Sequence, residues 1–437
     1  MTLNTLPDNS SSALPRSLYR AVTPEVRYPA LTTELDVDIA VIGAGFTGLS
    51  SALHLLEDGA EVAVFDAHEP GWGASGRNGG QVNPGLKREP ADVAGYFGAE
   101  RGERLARLSG EAPQYVFDLV RRHDIDCDAA QTGSIRVVRT DAERPVIDTA
   151  ITDWSARGIR LDYLDRAKLA DLLGTDRYPS GLLDPRGGML NPLAYARGLA
   201  AAVVKSKGQI FSSSPVSGLK REGDFWRFVA GSGTVRARKV VLATNGYTDG
   251  LWPHLRESVV PIYSAIAATD PLPEAMARRI LPGRHVAYES SWRVLYFRLD
   301  RENRLLMGGP GLRQRDGSDK STFRYLIRCA EALYPDLRGI GWSYFWNGQV
   351  AVTEDHFPHL HEPAPGLVAA LGYNGRGIAM ATMMGRIVAR RLLGAAEDTL
   401  ELPVSTIKPF RFHAFWKPVV GLRTLQELAM DRLRGLA

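Results

Sequence analysis

Residues 37–66 constrain the fold most. Val37-Asp38-Ile39-Ala40-Val41-Ile42 is a β-branched run that reads as a buried parallel strand. Gly43-Ala44-Gly45-Phe46-Thr47-Gly48 follows at once, and Leu49 to Leu56 has the apolar spacing of a helix ending at Asp58-Gly59. Glu61 to Asp66 is a second strand that ends in an acid. Together they make a βαβ unit of about 30 residues. Only glycine suits its three spaced positions: Gly43 for the tight turn, Gly45 for close approach of a pyrophosphate, and Gly48 for helix–strand packing. A pyrophosphate would sit on the helix N-terminus, with Asp66 placed to accept both ribose hydroxyls. The unit predicts an ADP-containing cofactor.

NAD and FAD both use such a unit. The stretch Gly71-Trp72-Gly73-Ala74-Ser75-Gly76-Arg77-Asn78-Gly79-Gly80-Gln81 separates them. Its N–H groups could follow an extended dinucleotide, Ser75 and Arg77 could meet the pyrophosphate, and Gly79 and Gly80 would let a flat ring lie on the main chain. A simple NAD domain needs none of this.

With 437 residues, 44% of them hydrophobic and 23% charged, the chain suits two interlocked globular domains. A net charge of +4 with interspersed signs and no basic run argues against nucleic-acid binding. Two scattered cysteines, Cys127 and Cys329, offer neither a disulfide framework nor metal spacing. His356, His359 and His361 follow Asp355 into a Pro-rich turn, and no metal site is assigned. The N-terminus has prolines at Pro7, Pro15, Pro24 and Pro29 and lacks the profile of a signal peptide. No apolar run approaches the ~20 residues of a membrane span, so a cytoplasmic protein is expected.

Further along, helices are expected over Glu103–Asp124, Ala142–Gly158, Asn191–Lys205, Ile378–Leu393 and Leu422–Leu433. Gln209–Ser212 and Gly366–Leu371 read as strands, and Val240–Gly246 as a buried strand meeting a small-residue turn. Tyr263–Ala268 and Arg293–Arg298 alternate apolar and polar residues, as an antiparallel sheet does.

The Gly43–Gly48 turn, Asp66 and Gly73–Gln81 resemble the D-amino-acid oxidase superfamily of FAD enzymes, most of all its γ-glutamylputrescine oxidase-like branch. Val240–Tyr247, Trp346-Asn347-Gly348, Thr353-Glu354-Asp355 with Pro358, and Gly372–Ile378 agree, so the likeness runs from about Asp36 to Leu393. It implies an α/β (α+β overall) protein with a discontinuous Rossmann-like FAD-binding domain and an antiparallel-sheet substrate domain. The expected division is an N-terminal extension 1–35, an FAD domain from 36–90, 185–252 and 340–400, a substrate domain from 91–184 and 253–339, and a C-terminal tail 401–437.

The resemblance also implies cofactor contacts from Phe46, Thr47, Ala67, Gly73, Ala74, Asn78, Gln81, Val216, Ala243, Thr244, Asn245, Gly246 and Gly348. Gly372, Tyr373, Asn374, Gly375, Arg376, Gly377 and Ile378 would cap the flavin, and glycines heading a helix do put N–H groups and dipole where reduced flavin carries negative charge. Monomeric sarcosine oxidases, which are related, attach their flavin to a cysteine near a similar Thr-x-Asp motif. Gly348 stands at that position here, so non-covalent FAD is expected. Those enzymes also clamp the substrate carboxylate with an arginine soon after the first glycine-rich stretch. Gly80-Gln81-Val82-Asn83 stands here instead, which favours an amine without an α-carboxylate, with Lys87 or Arg88 as possible replacements.

The implied reaction is hydride transfer from a small-molecule amine to the flavin, then imine hydrolysis and reoxidation by dioxygen or another acceptor. A glycine, D-amino-acid or sarcosine type of oxidase is the alternative enzyme, and a non-catalytic flavoprotein the alternative of another class. Tyr263, Tyr288, Tyr296, Arg298, Trp346 and Asn374 are the candidates to meet substrate.

Overall fold

The computed structural model describes residues 14–290, 294–311 and 320–418, together with 420, 421 and 426. The helix expected over Leu422–Leu433 (apart from residue 426), Arg293 at the start of the Arg293–Arg298 segment, and Pro7 lie outside the described residues.

Two eight-stranded sheets organise the molecule. The first is built on parallel strands in the order Leu367–Leu371, Gly233–Leu242, Glu34–Ile42, Val62–Phe65 and Gln209–Phe211. All four residues of Val62–Phe65 and all five of Leu367–Leu371 are buried, as strands covered on both faces must be. His359–Ala364 closes one edge antiparallel, and the ribbon of Val216–Glu222 and Phe225–Ala230 folds back onto Gly233–Leu242. Helices Phe46–Glu57, Pro192–Lys205 and Gly377–Leu392 bury their apolar faces in one core over this sheet. Asn191 caps Pro192–Lys205, its side-chain oxygen accepting from Leu193 N (3.1 Å) and Ala194 N (3.2 Å), with proline in the first turn.

The second sheet runs Trp342–Val352, Val260–Thr269, Leu305–Gly311, Tyr296–Leu299, Val286–Glu289, Ser134–Val138, Ser180–Asp184 and Asp162–Asp165. Every neighbouring pair is antiparallel except Val286–Glu289 with Ser134–Val138. Trp342–Val352 departs from the expected division, which places it with the nucleotide-binding segments. Ten of its residues pair with Val260–Thr269, so it is the second sheet's edge strand. Its β-branched and aromatic composition fits either sheet, and only pairing decides.

The segment before the first strand is not a loose extension. Leu14, Leu18, Tyr19 and Leu31 are buried, and Ser17 caps a short helix, Leu18–Val22. The helices Pro90–Phe97, Arg166–Leu173 and Arg324–Leu333 were not expected from the sequence, although Arg324–Leu333 has helical spacing and buries Leu326, Ala330 and Leu333 on one face.

Candidate functional site

The turn after Glu34–Ile42 is held by contacts that tolerate no side chain. Gly43 has φ +108°, and a Cβ there would lie 2.8 Å from the Ala243 carbonyl oxygen. A Cβ on Gly45 would meet Ser75 Oγ at 2.9 Å, and one on Gly48 would sit 1.9 Å from the Gly43 oxygen. Gly45 stands at the N-cap of Phe46–Glu57 with no side-chain cap of its own, and Ser75 Oγ accepts from Phe46 N at 3.0 Å. Asp66 ends the neighbouring strand. Its carboxylate accepts from Ala44 N (2.7 Å) and His68 N (2.8 Å), which fixes its plane. Burial pushes this carboxyl up to about 6, the two N–H donors opposing the rise.

The loop Gly73–Gln81 is stapled from within. Asn78 Nδ2 donates to the carbonyls of Ala74 (3.1 Å) and Ser75 (3.0 Å), while its oxygen accepts from Gly80 N at 2.9 Å. Arg77 is buried, donates from Nε to Trp72 O (2.7 Å) and lies 4.3 Å over the Trp72 ring. Gln81 donates to Ala287 O (2.9 Å), tying the loop to the second sheet. Gly79 packs on the Tyr296 ring, where a Cβ would come within 2.5 Å of it.

Three distant segments converge on the same place. Asn245, at φ +44°, accepts from Gly372 N at 3.0 Å and so joins the turn after Gly233–Leu242 to the one after Leu367–Leu371. The Tyr373 and Thr47 hydroxyls are 2.6 Å apart, which binds that last turn to the first glycine turn. Asn374, at φ +51°, accepts from Thr353 N (3.0 Å) and donates to Gly372 O (2.6 Å). It holds the loop that leads into Gly377–Leu392.

All these segments wall one cavity of about 980 Å³ between the two sheets. Gly43, Gly45, Phe46, Thr47, Asp66, Ala67 and Val216 line it, as do Gly73, Ala74, Ser75, Arg77, Asn78 and Gly79. Gln81, Ala243, Thr244, Asn245, Gly348, Tyr373, Asn374, Gly375, Arg376, Gly377 and Ile378 also line it. Gly48, Gly80, Gly246 and Gly372 stand behind the wall. Their contacts shape the turns that reach it.

The substrate-facing expectations divide. Tyr263, Tyr288 and Tyr296 line the cavity. The Tyr296 ring is held between Gly79 and Gly308, its hydroxyl 2.7 Å from Ser264 Oγ, and burial raises its pKa so that the phenol stays protonated. Trp346 and Arg298 are corrected: neither reaches the cavity. Trp346 is fully buried and donates from Nε1 to Arg77 O at 3.0 Å. Arg298 is 1% exposed and donates to Gly79 O at 2.8 Å from behind the loop. Asn374 reaches the wall with its amide already committed to Thr353 and Gly372.

Sequence reasoning did not find Arg136, Tyr247 or Gln349 on the wall. Arg136, Arg376 and Lys87 form a cationic group beside Tyr288. Arg376 donates to the Tyr288 hydroxyl (3.2 Å), and Arg136 is paired with Glu89 at 2.5 Å. Lys87 is open to the cavity yet crowded by protein. Burial, then Arg376 and Arg136, hold its ammonium down at about 8. Among the described residues no carboxylate is in ion-pair distance of Lys87 or Arg376.

His356 lines the cavity, while the other two histidines of that run serve the frame. His359 bonds Asp355 at 3.1 Å and His361 bonds Ser405 O at 2.8 Å; no group of three metal-ligating side chains converges among the described residues. Cys127 lies in the first core and Cys329 against the second; neither lines the cavity. No described helix is long and apolar enough to cross a membrane.

Residues 38–391 match the family model described as FAD dependent oxidoreductase. A γ-glutamylputrescine oxidoreductase of Escherichia coli is 30% identical over 375 residues, covering 85% of this chain and 87% of that protein. A probable oxidoreductase OrdL of Haemophilus influenzae is likewise 30% identical, over 85% and 86%. Among solved structures, glycine oxidase from Bacillus cereus superposes with a TM-score of 0.69 at 18% identity, over 85% of this chain and 99% of that one.

Proposed function

This chain belongs to the family of FAD-dependent oxidoreductases, and we propose that it oxidises the C–N bond of a small amine or amino acid in the cavity between its two sheets. One observation carries the reading: a single cavity is walled both by a dinucleotide-type turn with an oriented carboxylate and by Tyr263, Tyr288 and Tyr296. The residues fit FAD. The turn is a cradle that a Cβ at Gly43, Gly45 or Gly48 would fill, and Asp66 is preoriented by two N–H groups. Asp66 would take the ribose, the N-terminus of Phe46–Glu57 the pyrophosphate, and Gly79 with Gly375–Ile378 the flavin ring. FAD would be held without a covalent bond, as Gly348, standing where monomeric sarcosine oxidases carry the attaching cysteine, supports.

When bound, FAD supplies the acceptor for the hydride that leaves the carbon beside nitrogen. The chain's own residues do the rest. Tyr263, Tyr288 and Tyr296 keep water from the reacting carbon and offer rings to a cationic amine before it loses its proton. The phenol of Tyr296 stays protonated and can donate to a substrate atom. The N-terminus of Gly377–Leu392 favours negative charge near the ring. Oxidation of R–CH2–NH–R′ gives an imine, which water splits into aldehyde and amine. Dioxygen takes the two electrons and two protons as hydrogen peroxide.

A second reading is favoured by Lys87, Arg136 and Arg376: an amine that carries a carboxylate. Lys87→Met is expected to raise KM at least tenfold for carboxylated amines and less than twofold for carboxylate-free ones. Equal effects on both classes would sink the carboxylate role. Because Lys87 titrates at about 8 and is cationic below that, a plain carboxylate inhibitor should bind more weakly as pH rises through 8, and Lys87→Met should abolish that slope.

The spectrum of the purified protein and a peroxide-coupled amine screen test the whole proposal. A yellow protein whose flavin is released by acid and bleached anaerobically by an amine is expected. A colourless protein defeats the FAD reading, and a flavin that no amine bleaches leaves a non-catalytic flavoprotein.

A further inference from the structure

Behind the cavity wall lies a charge that the reaction so far leaves without a task. Arg298 is 1% exposed, the second-largest of the fully buried side chains. Its guanidinium donates to Gly79 O (2.8 Å), Leu190 O (3.2 Å) and the Tyr19 hydroxyl (3.3 Å), and contacts Met189 sulfur at 3.8 Å. All four partners are neutral. Among the described residues no carboxylate is within ion-pair distance. The two carboxylates whose fields reach it lie beyond that distance: Asp128, whose ionised form the Arg298 charge favours, and Asp300, which is paired with Arg304 at 3.1 Å. Burying a cation with no carboxylate in contact is costly. A cheaper neutral side chain could have filled the space.

The surroundings hold this cation in place. Tyr19 comes from the Leu18–Val22 helix, outside the family-matched residues 38–391. Its ring packs edge-on against Trp346 at 5.1 Å, in a cluster with Leu14, Leu18, Trp72, Leu193 and Leu306. Arg197 donates to Thr23 O (3.2 Å) and Asn191 to Thr23 Oγ1 (3.1 Å), which pins the far end of the segment. A Cβ on Gly80 would lie 2.6 Å from Arg298 Nη2, so the guanidinium touches the loop backbone directly. On the loop's other side Gly79 faces the cavity.

We infer that Arg298, locked by Tyr19 of the N-terminal segment, is a positioning residue whose buried positive charge sets the loop Gly79–Gly80 and makes the flavin a stronger electron acceptor. The inference rests on the proposed FAD site. A fixed cation behind a thin, side-chain-free loop acts in a low dielectric, where it favours any state of the ring that gains negative charge.

Sulfite affinity and the two-electron midpoint potential of the flavin report this without any substrate. Arg298→Gln keeps a donor for Gly79 O and deletes the charge, whereas Arg298→Lys keeps the charge. Sulfite should bind the flavin-loaded Gln variant at least tenfold more weakly, and the midpoint should separately fall by about 30 mV or more, a tenfold change in the constant of a two-electron couple. The Lys variant should stay within threefold of the parent. Parent-like sulfite affinity and potential in the Gln variant overturn the inference, as does an equal loss in both variants. If the Gln variant takes up no flavin, the Lys variant decides alone: within threefold supports the charge, a larger loss overturns it. A parent protein that holds no FAD would instead defeat the proposed function.

Discussion

Gly48→Ala is expected to remove FAD from the purified protein and to destabilise the fold by about 3 kcal/mol or more. Overpacking a well-filled interior typically costs about 1–3 kcal/mol. Position 48 belongs at the top of that range because the obstacle is backbone: the new Cβ would stand 1.9 Å from Gly43 O and 3.1 Å from a Val41 methyl. A side chain could rotate away, but Gly43 cannot. Its N–H is bonded to Phe65 O at 2.8 Å, and its Cα is closed in by the Ala243 carbonyl. The helix must therefore lift from the strand, carrying with it the N–H groups of its first turn. The flavin-to-protein absorbance ratio should fall below one-tenth of the parent's, with a lower melting temperature. Gly95→Ala is the control. Gly95 lies in the exposed helix Pro90–Phe97 with nothing within 4 Å, and the change should stabilise by up to about 1 kcal/mol. Parent-like flavin content and melting in Gly48→Ala would refute the close-packing argument.

Asp66→Asn should weaken FAD binding at pH 8 by about 10- to 100-fold, the value of one or two hydrogen bonds to a charged acceptor. The pH dependence is the sharper test. In the flavin-free protein burial pushes this carboxyl up to about 6, above its unfolded value near 4. The fold therefore prefers the protonated form. Its contribution to stability is complete below pH 4 and is lost as pH rises through 6, by up to about 3 kcal/mol. FAD has the opposite dependence, because ribose hydroxyls donate to the ionised carboxylate. Its affinity should fall about tenfold for each pH unit below 6 and level off above 7. Titration by quenching of flavin fluorescence between pH 5 and 8 should show this slope in the parent and none in Asp66→Asn, the gap between the two narrowing about tenfold by pH 5. An equal slope in both proteins would place the titrating group elsewhere.

What was legible in the sequence was local. Strand, glycine turn, helix and acid sit within 30 consecutive residues, and each requirement acts between neighbours: a positive φ at Gly43, a helix N-terminus at Gly45, a strand end at Asp66. The helix Pro192–Lys205 was equally readable, because its cap and first-turn proline are adjacent residues. The family likeness extended this to the segments around Ala243 and Gly372, which a single sequence does not otherwise connect.

Only the tertiary structure decided what lies across each face. Tyr296 and Arg298 are two apart on one strand and share a side of the sheet. The sequence ranked them alike as substrate contacts. The loop Gly73–Gln81 runs over that side, so Tyr296 keeps its edge in the cavity while Arg298 is covered by Gly79 and Gly80. Trp346 is covered in the same way by Arg77, and its strand joined the second sheet because pairing with Val260–Thr269 was available. Lys87, Arg136 and Arg376 are far apart in the chain, and no periodicity relates them. Periodicity says which side of an element a residue faces, whereas what meets it there depends on long-range packing. The first dinucleotide turn of this protein is therefore written in consecutive residues, whereas the rest of the cavity exists only where distant segments and two sheets close on one another.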